Sequence, residues 1–267
     1  MSISKQRLDK LLIERGFVNS RNKAIALILA GKVKVDGKVV AKAGTQVNVA
    51  SQLEIIQQDK WVSRGAYKLL KALDCFDVDP KDAICFDVGA STGGFTQVLL
   101  ERGAKKVYAI DVGYGQLAWT LRQDKRVIVR EKTNARYLSK EDFDEEADLI
   151  VVDVSFISLK LIIPVLAKLL SARGDILALI KPQFEIGRKY VGRGGIVADP
   201  LLHEKVLKDV VCYVTNIPPL NVVGLTHSPI KGPKGNIEFL LHATAKPKDP
   251  LPLNFMEVVN AAHFELT

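Results

Sequence analysis

The chain has 267 residues, 48% of them hydrophobic and 25% charged, the make-up of a globular protein with one large core and room for a small second domain, which excludes a compositionally disordered chain. Its apolar runs, such as residues 147–154 and 175–180, fall far short of the ~18 residues a membrane-spanning helix needs. The formal charge of +8 is uneven: residues 1–58 hold ten Lys and Arg against four Asp and Glu, a net of +6, and the remainder holds 28 against 26. A compact basic module on a nearly neutral body is the electrostatic footprint of a nucleic-acid-binding appendage.

Residues 1–7 lead into a segment carrying Arg7, Asp9, Lys10, Glu14 and Arg15 rather than an unbroken apolar leader, so a cytoplasmic location is expected. Leu8, Leu11, Leu12 and Ile13 recur at helical spacing until Gly16 stops the helix. Ser20 is placed to cap a second helix with the face Ala24, Leu27, Ile28. Residues 33–35 and 38–40 flank Asp36-Gly37, the strongest short-range signal for a tight hairpin, and residues 47–56 supply further strand. With Arg-Leu-Asp-Lys-Leu-Leu opening the first helix, Ser-Arg the second, and Gly-Lys-Val-Lys-Val-Asp-Gly in the hairpin, residues 1–58 resemble the S4 RNA-binding domain. The resemblance implies that Arg7, Lys10, Arg21, Lys23, Lys32 and Lys34 lie on one side and meet phosphates.

Residues 59–62 read as a connector, and residues 63–267 as a second domain. A helix begins near Ser63 and runs to about Asp74; from Ala83 strands and helices alternate, the pattern of a parallel sheet with helices on both faces. Strands are expected at 83–88, 106–111, 127–131, 149–154, 175–180, 222–226 and 237–242, seven in all, the number in the Rossmann-like methyltransferase fold. Residues 246–252 form a loop before a last short helix, 255–264. Cys75, Cys85 and Cys212 are widely spaced with no paired C-x-x-C, and His203, His227, His242 and His263 show no ligand spacing; three buried thiols and no metal are expected.

The run from Asp87 to Thr96 follows the first of these strands and opens a helix, the context of a glycine-rich nucleotide loop. Its spacing, Gly89, Gly93, Gly94, is not G-x-G-x-x-G, which disfavours a nicotinamide dinucleotide. Asp111 closes the next strand 22 residues after Gly89, where a carboxylate accepts from ribose hydroxyls. Together with Asp87 beneath the loop, a poor neighbour for a pyrophosphate, these residues fit S-adenosylmethionine. Ser91, Thr92 and Gly93 are the accompanying loop positions, and Asn134, after the third strand, is expected to meet the adenine.

Asp153 and Lys181 end adjacent apolar strands, where reactive groups of open α/β sheets collect, while Lys68 stands on the preceding helix and Glu238 at the start of the last strand. Each alone reads equally well as a surface charge. Their order and contexts resemble the Lys-Asp-Lys-Glu tetrad of FtsJ-like ribose 2′-O-methyltransferases. With Val-Ser-Arg-Gly-Ala-Tyr-Lys-Leu, Val-Asp-Val-Ser-Phe-Ile-Ser, Ile-Lys-Pro-Gln-Phe-Glu and Gly-Pro-Lys-Gly-Asn-Ile-Glu-Phe, the whole chain looks like a member of the TlyA family, known both as hemolysins (hemolysin A) and as methyltransferases of ribosomal RNA cytidines. One departure stands out: relatives often carry Arg-x-Trp-Val in the connector, and here Asp59 holds the Arg position.

A ribose hydroxyl is a weak nucleophile, so methyl transfer from a sulfonium requires its proton to be withdrawn as the oxygen attacks. A neutral lysine can do this, and like-charge repulsion with partial burial favours the neutral amine, while neighbouring carboxylates oppose it. The resemblance implies Lys181 as base, Lys68 and Asp153 orienting the hydroxyl, Glu238 completing the network, ribosomal RNA or ribosomal subunits as partner, and no obligate protein partner. Phe156 and Phe184, each three residues beyond a tetrad member, are candidates for stacking on a displaced base, with core packing as the alternative. Competing functions are an RNA-binding assembly factor with an inactive methyltransferase fold and a membrane-lytic hemolysin; the absence of a long amphipathic helix or apolar hairpin speaks against the latter.

Overall fold

A computed structural model describes residues 4–56, 60–247 and 252–266. The chain divides into two compact units, Met1–Lys60 and Trp61–Thr267. Asp59 and residues 248–251 of the loop before the last helix lie outside the described residues.

In the first unit β1 (Lys5–Arg7) runs into α1 (Leu8–Glu14), followed by α2 (Arg21–Leu29), β2 (Val33–Val35), β3 (Lys38–Val39), β4 (Gln46–Asn48) and β5 (Leu53–Ile55). Ser20 Oγ accepts from Lys23 N–H and caps α2. Asp36 and Gly37 both adopt positive φ, 49° and 77°, so the β2–β3 turn has the primed geometry that matches strand twist. Leu8, Leu11, Leu12, Ala24, Ile28, Val33, Val47 and Leu53 form one small core. Strand β1 exists because residues 5–7 pair with residues 46–48, a contact no local pattern announces.

Asp9 is fully buried on α1 yet charged, and it accepts from Arg7 Nε and Nη2 at 3.0 and 2.8 Å and from Arg21 Nε at 3.1 Å. The Arg7 guanidinium, joined by Arg21, holds this carboxyl far below the usual carboxylate range. A depressed carboxyl contributes stability that is present above its unfolded value near ~4 and lost as pH falls below it. Asp9→Asn is therefore expected to destabilise this unit at neutral pH, with the gap from wild type closing in acid; an unchanged gap in urea melts between pH 7 and 2.5 would refute the ion-pair account.

The second unit contains α3 (Ala66–Phe76), β6 (Ile84–Val88), α4 (Gly94–Glu101), β7 (Lys106–Ile110), α5 (Trp119–Arg122), β8 (Val127–Arg130) and β9 (Ala147–Val152). It continues with α6 (Ile163–Leu166), β10 (Leu170–Ile180), α7 (Pro182–Glu185), α8 (Pro200–Thr215), β11 (Asn221–His227), β12 (Phe239–Thr244) and α9 (Phe255–Leu266). One seven-stranded sheet has the order β11-β12-β10-β9-β6-β7-β8, parallel except for β12, which runs antiparallel to both neighbours. Successive strand residues feed opposite faces. Phe86, Tyr108, Ile150 and Ile176 join the core beneath α6, α8 and α9; Cys85, Val107, Leu149 and Leu177 join the one beneath α3 and α4. Trp61, read from the sequence as connector, packs into the second of these cores, and Val62 N–H beside it donates to Gln97 Oε1.

The expectation of three buried thiols is corrected. Only Cys85 is buried, where desolvation pushes its thiol up to about 12; Cys75 and Cys212 are exposed. On α3 the buried stripe is Ala66, Lys68, Leu69, Ala72 and Leu73, and on α8 it ends in Val210, Val211 and Val214, so helical period turns both cysteines outward.

Candidate active site

Parallel strands deliver their carboxyl ends to one edge of the sheet, and the antiparallel β12 delivers its start to that same edge. Ile180, the last residue of β10, pairs with Phe239, the first of β12, so Lys181 and Glu238 flank one point. Asp153 follows β9 beside them, and α3 carries Lys68 over the edge. Lys68 Nζ donates to Glu238 Oε2 at 2.6 Å and lies 3.7 Å from Asp153 Oδ2; Lys181 Nζ lies 2.5 Å from Asp153 Oδ1 and donates to Ser155 Oγ at 2.9 Å. Lys68, Lys181 and Glu238 are buried, and Asp153 is partly open. Burial pushes the Glu238 carboxyl up, with the Lys68 ammonium pulling against it. Two buried lysines sharing the two oxygens of one carboxylate form a charge-compensated cluster rather than a set of surface charges.

A cleft of about 530 Å³ opens beside Asp153, lined among others by Gly89, Ser91, Asp111, Asn134 and Phe156. Gly89 has φ 89°, and a Cβ there would lie 2.5 Å from the Asp153 carbonyl oxygen, so only glycine lets the β6 turn pass the end of β9. Asp111 pins the loop: Ser91 N–H donates to its Oδ2 at 2.8 Å and Gly113 N–H to its Oδ1 at 2.7 Å. Each oxygen keeps a further lone pair. Asn134 Oδ1 accepts from Arg136 N–H and starts a short 3₁₀ turn at the cleft wall.

Asp87, Thr92 and Gly93 do not line this cleft. Thr92 is exposed, and Gly93 faces Leu117 and Leu121. Asp87 is fully buried under the loop; its Oδ2 accepts from Thr96 Oγ1 at 2.6 Å, its Oδ1 has no partner, and burial pushes its carboxyl up to about 7. An orphaned carboxylate oxygen beneath the loop, a carboxylate at the end of β7 and a cleft of this size suit a nucleoside carrying a cationic amino-acid tail, as S-adenosylmethionine does.

A second cleft of about 330 Å³ lies on the other side, lined among others by Ser155, Phe156, Lys181, Gln183, Phe184 and Glu238. Ser155 and Phe156 line both clefts, so the lysine-carboxylate cluster stands at their partition. Phe156 is 86% exposed with φ 64°, and its ring centroid lies 5.2 Å from that of the half-buried Phe184. Such exposure removes core packing as an explanation for Phe156. Sequence reasoning missed Ser155, Gln183 and Asn236. All three lie two residues from a tetrad member, which was the available signal. Asn236 is buried; its Oδ1 accepts from Val197 N–H and its Nδ2 donates to Gly195 O, tying the loop that edges the second cleft to the segment bearing Glu238.

In the first unit Lys10, Arg21 and Lys23 are exposed, Lys32 and Lys34 half-exposed, and Arg7 and Arg21 converge on Asp9. Lys34 also lies 3.8 Å from Glu54. Among the described residues no cluster of metal-binding type occurs.

The FtsJ-like methyltransferase model matches residues 61–245, and the S4 domain model residues 6–53. The chain belongs to the FtsJ-like methyltransferase family. This FtsJ-like chain is 49% identical over 91% of its length to "Putative rRNA methyltransferase YqxC" of Bacillus subtilis, of which 86% is covered. It is 47% identical to the 16S/23S rRNA (cytidine-2′-O)-methyltransferase TlyA of Mycobacterium tuberculosis, over 88% of each chain. A solved structure titled "Putative hemolysin from Streptococcus thermophilus" superposes with a TM-score of 0.74 at 44% identity, covering 99% of this chain and 98% of that one. No helix among the described residues is long and apolar enough to cross a membrane.

Proposed function

We propose that this protein methylates the ribose 2′-oxygen of cytidine in ribosomal RNA, with S-adenosylmethionine as methyl donor. The observation that carries the reading is the position of Lys68, Asp153, Lys181 and Glu238 at the wall shared by two clefts, one suited to the donor and one to a nucleoside. The relatives named as cytidine methyltransferases of ribosomal RNA support the substrate. Gly89, Ser91, Asp111 and Asn134 hold the donor, whose sulfonium supplies an electrophilic methyl group.

The hydroxyl docks at Lys181 Nζ, and the neutral amine takes its proton as the oxygen attacks. Asp153 Oδ1, 2.5 Å away, pairs with the ammonium so formed. Lys68, held by Glu238 at 2.6 Å, keeps the other Asp153 oxygen occupied and so fixes the carboxylate. Much of the acceleration comes from orientation, since holding the reacting atoms in line substitutes for encounter entropy. The basic first unit supplies phosphate contacts that bring the RNA to the site.

Mass mapping of ribose methylation on ribosomal RNA from cells with and without the gene tests the reading; identical maps would overturn it. Asp111→Ala is expected to weaken S-adenosylmethionine binding by roughly 10- to 100-fold, the loss of a charged acceptor, with RNA affinity near normal. Calorimetry showing unchanged cofactor affinity would remove Asp111 from the donor site.

A further inference from the structure

The second cleft contains one more polar side chain, outside the lysine-carboxylate cluster. Gln183, on α7 between Lys181 and Phe184, lines this cleft. Its Oε1 is shut off from solvent and has no hydrogen-bond partner. Only two other buried side-chain atoms among the described residues share that state, Asp87 Oδ1 under the donor loop and Tyr108 Oη in the core. Leaving an enclosed acceptor unmatched costs stability, and such groups call for a partner that arrives later.

We propose that Gln183 is the base-reading residue of this enzyme, its terminal amide turning into the cleft as the base enters so that Oε1 accepts a hydrogen bond from the exocyclic amine of the target cytosine. The inference rests on the nucleoside reading of the second cleft. Its chemistry is that of a side-chain amide, which presents an acceptor and a donor side by side. Cytosine presents the complement, the N4 amine beside the N3 acceptor. Uracil presents the reverse, placing its O4 carbonyl against the Oε1 turned into the cleft, where two acceptors repel. Phe156 and Phe184 supply ring faces that any base can meet, so they hold the base without choosing it. Choice therefore falls to the amide. Lys181, two residues before Gln183, ties base recognition to the reacting centre through one short turn of chain.

The test is single-turnover methylation of full-length protein with ribosomal RNA transcripts carrying either cytidine or uridine at the mapped position. Wild type is expected to favour cytidine by on the order of 10- to 100-fold, the range of one bidentate base contact. Gln183→Leu should bring the cytidine-to-uridine ratio close to one. Gln183→Glu, nearly isosteric but an acceptor at both positions, meets one favourable and one repulsive contact with either base and should likewise bring the ratio close to one. S-adenosylmethionine affinity measured on the same preparations should match wild type, which reports intact folding; if the leucine variant does not fold, the wild-type and glutamate ratios decide. Equal methylation of both transcripts by wild type means an amide free to reverse and overturns the inference, as does a leucine variant with an unchanged ratio. Failure of wild type to methylate any transcript overturns the proposed function itself, and this inference with it.

Discussion

Lys181→Ala is expected to lower single-turnover methyl transfer by roughly 100- to 10,000-fold while leaving S-adenosylmethionine and RNA affinities near wild type. General base catalysis contributes about that much, and a group acting only on the hydroxyl in the transition state has little to do with binding. The fold should tolerate the change, because Asp153 keeps Lys68 at 3.7 Å and is partly open to water. Lys181→Arg sharpens the test. A guanidinium preserves the charge beside Asp153 but, with a pKa above ~12, offers no neutral form to take a proton, so it should fail as well, and raising the pH should not rescue it. Near-wild-type transfer by the arginine variant across a pH series would leave the position an electrostatic role in place of a basic one, a reading to which the 2.5 Å pairing with Asp153 also lends itself.

The second large effect is expected in RNA binding. Arg7 and Arg21 are poor choices for charge removal, since their loss strands the buried Asp9 and confounds affinity with unfolding. Lys10, Lys23, Lys32 and Lys34 have no such tie to Asp9. Changing these four to glutamine should reduce the slope of log affinity against log salt by about 3, at 0.7 to 0.9 per phosphate contact, and lower affinity at physiological salt on the order of 100-fold. Cofactor affinity should not move. A quadruple variant with the wild-type salt slope would show that the phosphate contacts lie elsewhere on the protein.

The strands of the large sheet were legible in the sequence for a physical reason. Strands buried on both faces, such as Ile84–Val88 and Ala147–Val152, are apolar apart from Asp87 and Asp148, and their expected bounds differ from the observed ones by at most two residues. The exception is β10, which begins at Leu170, five residues before the apolar run from Asp175, because its first part carries Ser171, Arg173 and a register shift against β9. The hairpin around Asp36-Gly37 and the cap at Ser20 were equally local. The tetrad was a different case: its residues could be named from resemblance, but each was indistinguishable by itself from a surface charge.

What the sequence determined by itself is whatever depends on near neighbours: helical and strand period, the caps and turns, the glycine-rich turn after β6, and the uneven charge of residues 1–58. Tertiary structure decided the rest. It made β1 a strand by pairing it with β4, packed Trp61 into a core, turned Cys75 and Cys212 to solvent, and buried Asp9 between two arginines. It also reversed β12, so that Glu238, 170 residues from Lys68, came to lie 2.6 Å from it, and enclosed the carbonyl of Gln183. Periodicity reports only which side of an element faces inward. Which polar groups meet there, and which are left without a partner, depends on how elements far apart in the chain pack on one another.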